Sequence, residues 1–499
     1  MDTGVPQQRQ QPSISRREFV ERAASAMAAT AAAPRVLLSA TEHRRLAVAS
    51  EFTGEAETLA LRATSFRGAP DGRDREIWSY NGHFPGPPIR VKEGETLRVR
   101  VINELRVPTS IHWHGMHQPG TWRMDGVEGV SGPPIAPGAQ FVYEYRATPA
   151  GTHWYHSHVG VQYGEGLFGP LVIEEQTPIA KYDREEILMI NDWFLQPGDT
   201  LLAKLLESGK ERMPGKMKMK MKDGKDVGDI PFQSGLVNGK GRAPGDAKTP
   251  LTVVDVKKGE TIRLRLINAS STYALRFQID GHPLTVIATD GSPIKPVTVD
   301  SLPISVGERY DVLLEANQGG VHWIRAVTLD GNESRAVLRY SDAPETMPGA
   351  QAVRWGPRAL TPEEMRSRAP VHLAAKPREI PLLLGGSMMP YRWSINDEYY
   401  PKAASIEIPK DETIRFTLSN PTGMDHPFHL HGHSFHVLGK PGVLNLTDPV
   451  LKDTVNVPAK SEVVIQFLAN NPGRWFFHCH IEWHLATGMA RVLEIKPFV

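Results

Sequence analysis

VKEGETLRVRVIN at 91–103, VKKGETIRLRLIN at 256–268 and IPKDETIRFTLSN at 408–420 are three versions of one pattern. Each starts at a turn, passes through Glu-Thr, alternates apolar and polar residues, and ends on Asn. Alternation of period two marks a half-buried β-strand. A second echo follows in each case: AGTHWYHSH at 150–158, GGVHWIRAV at 319–327 and PGRWFFHCH at 472–480. The pairs recur at a spacing of about one domain. The chain of 499 residues is long enough for about two to four domains. Its 44 Gly and 41 Pro suit strands joined by turns. The expectation is an all-β protein of three consecutive Greek-key β-sandwich or barrel domains, at 50–175, 182–345 and 375–499. A connector at 346–374 is expected to hold one short helix at Thr361–Ser367, and 198–208 another.

Composition narrows the function. With 57 basic and 56 acidic residues the net charge is +1, which gives no support for a nucleic-acid binder. It also offers no strongly charged partner surface, and a monomer is expected. One cysteine stands beside 19 histidines. That excludes an internal disulfide and any multi-cysteine zinc or iron–sulfur site. Cys479 is left as a packing residue, a nucleophile or a lone thiolate ligand.

The three copies differ in chemistry. The first carries the pairs His112/His114 and His156/His158, and the third carries His429/His431 and His478/His480. The middle copy has none. Residues i and i+2 of a strand share a face, so each pair aims two imidazoles one way. Eight imidazoles at matching points of a repeat point to a shared metal site between the first and third domains. Neutral imidazole suits copper, zinc, iron or nickel. Cys479 lies between His478 and His480 and faces away from them, as does His426 relative to His429. His484 and Met489 follow in a loop. One Cys, two His and a more distant Met form the set of a blue-copper electron-transfer centre. A nucleophilic Cys–His pair leaves the other histidines unexplained. The tripeptide His478-Cys479-His480 then joins a one-electron site to the polyhistidine site.

HWHG at 112–115, HWYHSH at 153–158, HPFHLHGH at 426–433 and HCHIEWHLATGM at 478–489 resemble the four copper signatures of multicopper oxidases. The resemblance runs from about Ser79 to the C-terminus and is laccase-like at DGSPIKPVTVDSLPISVGERYDVLLEAN, 290–317. It implies three cupredoxin-like domains and copper as four ions: one type 1, one type 2 and a type 3 pair. It places His426, Cys479 and His484 on type 1 copper, with Met489 axial. His112 and His429 fall on type 2. His114, His156 and His480 fall on one type 3 ion, and His158, His431 and His478 on the other. It makes the ring edge of His484 face substrate, and gives Asp125 and Glu482 roles in proton delivery; both acids also read as ordinary hydrogen-bonded residues. His117, His153, His433 and His436 match no ligand position, with His433 read as a supporting or packing residue.

The implied reaction is one-electron oxidation of phenols, aromatic amines or similar small-molecule reductants, coupled to reduction of O2 to water. A metallo-oxidase acting on Cu(I) or Fe(II) is the second enzymatic reading. A catalytically silent scaffold is the rival from another class, disfavoured by the intact ligand set. Met213, Met217, Met219 and Met221, in MPGKMKMKM, offer thioethers to Cu(I), against the plainer reading of a charged, solvated strand. At the N-terminus, Ser15-Arg16-Arg17-Glu18-Phe19-Val20 before the alanine-rich run 23–33 resembles a bacterial twin-arginine signal over 1–49. It implies the twin-arginine export machinery as a partner and a periplasmic or secreted location. No stable membrane span is expected.

Overall fold

In a computed structural model, the described residues are 58–208, 221–222, 225–226, 230–349, 351–374 and 376–498. The twin-arginine segment and Met213, Met217 and Met219 lie outside them; Met221 is described only as backbone of a two-residue strand.

The echoed pattern forms the strands Thr96–Asn103, Thr261–Asn268 and Thr413–Asn420. Each pairs in parallel with the first strand of its unit: Leu59–Gly68, Arg184–Trp193 or Arg378–Met388. Each pairs antiparallel with a later one: Gln140–Arg146, Arg309–Glu315 or Ser461–Leu468. Parallel neighbours cannot be joined by a tight hairpin, so the chain crosses over before returning.

The Asn that ends each pattern acts as a clamp. Its Nδ2 donates across the loop, from Asn103 to the carbonyls of Val107 and Ile135, from Asn268 to Tyr273 and Ile304, and from Asn420 to Met424 and Val457. Its Oδ1 accepts the backbone N–H two residues on, at Leu105, Ser270 and Thr422. The repeat therefore preserves a loop-closing device as well as a strand.

Among the described residues, the first unit has two four-stranded sheets, the middle one a twelve-stranded sheet and a two-stranded ribbon pairing 221–222 with 225–226, and the last a seven- and a five-stranded sheet. Each unit contributes an apolar core, and that of the last unit also takes in Trp122 and Val161 of the first and Leu201, Leu205 and Phe232 of the middle one. The alternation breaks down in the middle unit. Arg263 and Arg265 read as solvent-facing, yet both are buried. They pair with Asp311, with Glu185, and with Glu175 just beyond the first unit's last strand. Contact with the first unit covers what the period-two pattern left exposed.

Gly198–Ser208 is a helix, as the sequence suggests. The expected helix at Thr361–Ser367 shrinks to a single 3-10 turn, Pro362–Glu364, closed by a capping box between Thr361 and Glu364. The chain leaves it because Met365 is extended and Ser367 bridges to Ile294. Among the described residues no helix is long and apolar enough to cross a membrane.

Candidate metal centre

The strands His112–His114 and Gly151–His156 pair with His112 opposite His156. In the last unit, His426–Leu430 and Gly473–Cys479 pair with His429 opposite His478 and Phe428 opposite Cys479. Only His112/His114 lies wholly on a strand. His158, His431 and His480 come just after their strands end. The shared-face rule thus covers one pair, and local turns aim the rest; Gly432 at φ 67 follows His431.

The eight imidazoles nevertheless meet. His112 Nε2 lies 3.4 Å from His429 Nε2. His431 and His158 place Nε2 at 3.0 and 3.5 Å from His478 Nε2. His114 Nδ1 faces His480 Nε2 at 3.2 Å. His158, His431 and His478 form one compact group, while His156 groups with His112 and His114. All but His158, which is half-buried, are at most 2% exposed.

The outer nitrogens decide what these contacts are. Nδ1 of His112, His429, His478 and His156 each meets a backbone carbonyl, of Asp125, Asp453, Cys479 and Ser157, at 2.9–3.0 Å. A carbonyl only accepts, so Nδ1 carries the proton and Nε2 is a bare lone pair. Asp125 Oδ2 accepts from His431 Nδ1 at 2.9 Å, and Oδ1 lies 3.1 Å from His112 Nδ1. His114 is reversed: its Nε2 points at Asp453 Oδ1 and Thr454 Oγ1, leaving Nδ1 bare. Lone pairs facing one another at these distances repel unless a cation lies between them. His156 Nε2 is buried with no protein partner at all. Burial holds His114, His156, His158, His429, His431, His478 and His480 below the ordinary histidine range, helped by their neighbours' like charge, so they stay neutral and able to ligate. The donor set fits a cluster of metal ions.

On the other side of the strand Gly473–Cys479, Cys479 Sγ lies 3.5 Å from His484 Nδ1 and 3.7 Å from His426 Nδ1. The two ring nitrogens are 3.2 Å apart. Met489 is buried, and its backbone donates to His484 O and accepts from Cys479 N. One thiolate and two imidazoles converging in an apolar pocket fit a soft-ligand copper site.

Two expectations need correction here. His484 is not in a loop but on a short helix, Glu482–Ala486. Its ring does not face outward either: it is fully buried. Trp393 stacks on it, with ring centroids 4.0 Å apart. Gly386 makes room for that indole, since a Cβ there would sit 2.1 Å from it. Leu201 and Leu205 of the helix Gly198–Ser208 share the same apolar cluster.

Glu482 is buried, and its Oε2 has no partner. Burial, with Glu165 and Asp192 nearby, pushes its carboxyl well above the ordinary range, which favours the protonated form.

Domain profiles described as Multicopper oxidase match residues 63–178, 184–343 and 373–498. Laccase-4 of Thanatephorus cucumeris is 34% identical over 476 residues, 85% of this chain and 86% of that one. The chain belongs to the multicopper oxidase family. Multicopper oxidase MmcO of Mycobacterium tuberculosis is 34% identical over 438 residues, covering 83% and 82%. The solved structure of Fet3p, described as a multicopper oxidase that functions in iron import, superposes with a TM-score of 0.77 at 25% identity, covering 89% and 91%. As a multicopper oxidase, the chain is a copper oxidoreductase with cupredoxin-type domains, taking electrons from a reductant and passing them to O2. The family implies four coppers.

The sequence reading overlooked Asp453, Arg309 and Trp393. Arg309 and Asp290 lie within the laccase-like stretch 290–317, but nothing in it marks a role. Asp453 sits in the unremarkable Lys452-Asp453-Thr454, so its contacts are invisible without the fold.

Proposed function

We propose that His426, Cys479, His484 and Met489 would hold the type 1 ion, and that the eight clustered histidines would hold the other three. On this reading His112 and His429 take type 2, while His114, His156 and His480 share the type 3 pair with His158, His431 and His478. Bound there, copper supplies one-electron oxidation of the reductant and four-electron reduction of O2 to water. The carrying observation is the set of buried ring nitrogens that face one another at 3.0–3.5 Å, among them those of His478 and His480 on either side of Cys479. The backbone of His478-Cys479-His480 is the covalent path between the two sites. Asp125 orients His112 and His431, and Glu482 holds a proton at Oε2 for delivery toward O2.

Phenols and aromatic amines are the reductants this reading favours. Because His484 is buried beneath Trp393, itself buried, their electrons reach it across the indole. A second reading, Cu(I) or Fe(II) oxidation, draws on the same burial, which suits a small donor. The segment holding Met213, Met217, Met219 and Met221 follows a helix that packs in the cluster containing Trp393. Export by the twin-arginine route belongs to either reading. Oxygen uptake by copper-loaded protein, with phenols, Cu(I) and Fe(II) compared, tests both. Uptake with phenols that survives replacement of the four methionines supports the first. Selective loss of Cu(I) oxidation supports the second, and no uptake with any donor rejects both.

A further inference from the structure

We infer that the middle unit, which carries no copper ligand, sets the type 2 side of the cluster through Arg309, a positioning residue that acts by way of Asp453. The inference rests on reading His112 and His429 as the type 2 ligands.

Asp453 is where the cluster's support converges. Its backbone carbonyl accepts from His429 Nδ1 at 2.9 Å, and its Oδ1 lies 3.4 Å from that same nitrogen and 3.2 Å from His114 Nε2. One carboxylate residue therefore orients a type 2 ligand and a type 3 ligand. Its own orientation comes from Arg309, which donates from Nη1 to Oδ1 at 2.7 Å and from Nη2 to Oδ2 at 2.5 Å. Two parallel bonds fix the plane of the carboxylate, which a point charge does not do.

The rest of the guanidinium is equally committed. Nε donates to Thr152 O at 3.0 Å, Nη1 to Gly307 O at 3.1 Å, and Nη2 to His153 Nδ1 at 3.4 Å. His153 Nε2 meets the Pro149 carbonyl at 3.0 Å, so its Nδ1 is an acceptor. All five N–H donors of the guanidinium are thus used. The partners come from all three units: Thr152 and His153 from the strand that carries His156, Gly307 from the middle, and Asp453 from the last. Arg309 and Asp453 are buried, and Asp290 and Lys452 extend the ionic network beside them.

Two glycines show how closely the middle unit approaches. A Cβ on Gly115, the last residue of HWHG, would lie 2.4 Å from His153 Nδ1, 2.7 Å from Arg309 Nη2 and 2.9 Å from Asp453 Oδ2. A Cβ on Gly307 would lie 3.0 Å from His480 and 3.2 Å from His114. The Gly307–Arg309 turn thus lies against the ligands themselves.

The test uses Arg309→Lys in the full chain, loaded with copper. Lysine keeps the charge but has three donors and no fork. The expected result is a type 2 copper affinity weakened about 10–100-fold, with the blue thiolate band retained. Copper content per chain and the type 2 paramagnetic resonance signal read this directly. Gly115→Ala, which crowds the same three groups without removing a charge, should give the same selective loss. Full type 2 occupancy in Arg309→Lys overturns the inference. So does parallel loss of the blue band and the type 2 signal in both variants, which would mean general instability. His429→Ala is the control: if it keeps the type 2 signal, the ligand reading itself fails and the inference falls with it.

Discussion

The mononuclear site and the eight-histidine cluster sit back to back on one strand, yet they are built in opposite ways. The first draws its residues from 426–489 of one unit and lies in apolar surroundings, under Trp393 and beside Phe428 and Leu430. The second draws ligands from two units and surrounds them with Asp125, Asp453 and Arg309. Soft ligands packed in a small apolar space need little else to hold them. Eight facing imidazoles need fixed tautomers, and fixing tautomers takes buried acceptors and charges. The contrast teaches that the local motif suffices for the site of Cys479, His426 and His484, whereas the eight-histidine cluster depends on the assembly of all three units.

The largest expected effect falls on the mononuclear side. Trp393→Ala leaves a cavity against His484 and should cost about 3–5 kcal/mol of unfolding free energy in denaturant. Copper content of the cluster should be unchanged in the folded protein. Loss of cluster copper in that variant would merge the two regions and break the comparison.

Next comes a limit on how local the mononuclear site is. The helix Glu482–Ala486 rests on the middle unit, where Asp192 accepts from Ser271 and Thr272. Ser271 in turn accepts from the Glu482 N–H, and Thr272 from Trp483 Nε1. Burial pushes the Asp192 carboxyl up from 3.8 to about 6. A raised carboxyl stabilises the fold fully below its unfolded value and loses that contribution as pH rises through the folded value. Wild type should therefore lose about 2.4 kcal/mol relative to Asp192→Asn between pH 4 and pH 7. Urea midpoints at the two pH values check this, and parallel curves would contradict it.

Asp125→Ala is the mirror of the tryptophan variant. It removes the carboxylate at His112 and His431, and should weaken copper binding in the cluster about 10–100-fold while the blue band stays. Titration against a competing chelator measures it. The smallest effect is expected at Gly307→Ala. There φ is +83 and the new Cβ meets His480 and His114, so about 1–3 kcal/mol of stability is lost. An unchanged thermal midpoint would show that the turn yields freely.

Much of this was legible before the fold. The repeat of Glu-Thr strands gives three β units, and the Asn that closes each pattern proves to be the same clamp three times. The His-x-His pairs and Cys479 do converge as two adjacent groups. The rest depends on contacts between distant parts of the chain. Arg309 and Asp453 are 144 residues apart, and His114 and Asp453 are 339 apart. No local pattern reveals that Asp453 reverses the tautomer of His114. The burial of Arg263 and Arg265 was hidden for the same reason: alternation reports a strand's faces, not what covers them. His484 was misplaced because a helix of five residues leaves too short a signature to read.

The central claim is that Cys479 is the junction between the two sites. Cys479→Ser, loaded with copper and supplied with a phenol under an oxygen electrode, tests it most directly. The expected result is loss of the blue thiolate band together with loss of oxygen uptake, while the eight-histidine cluster keeps its copper. A Cys479→Ser protein that still consumed oxygen at the wild-type rate would contradict it.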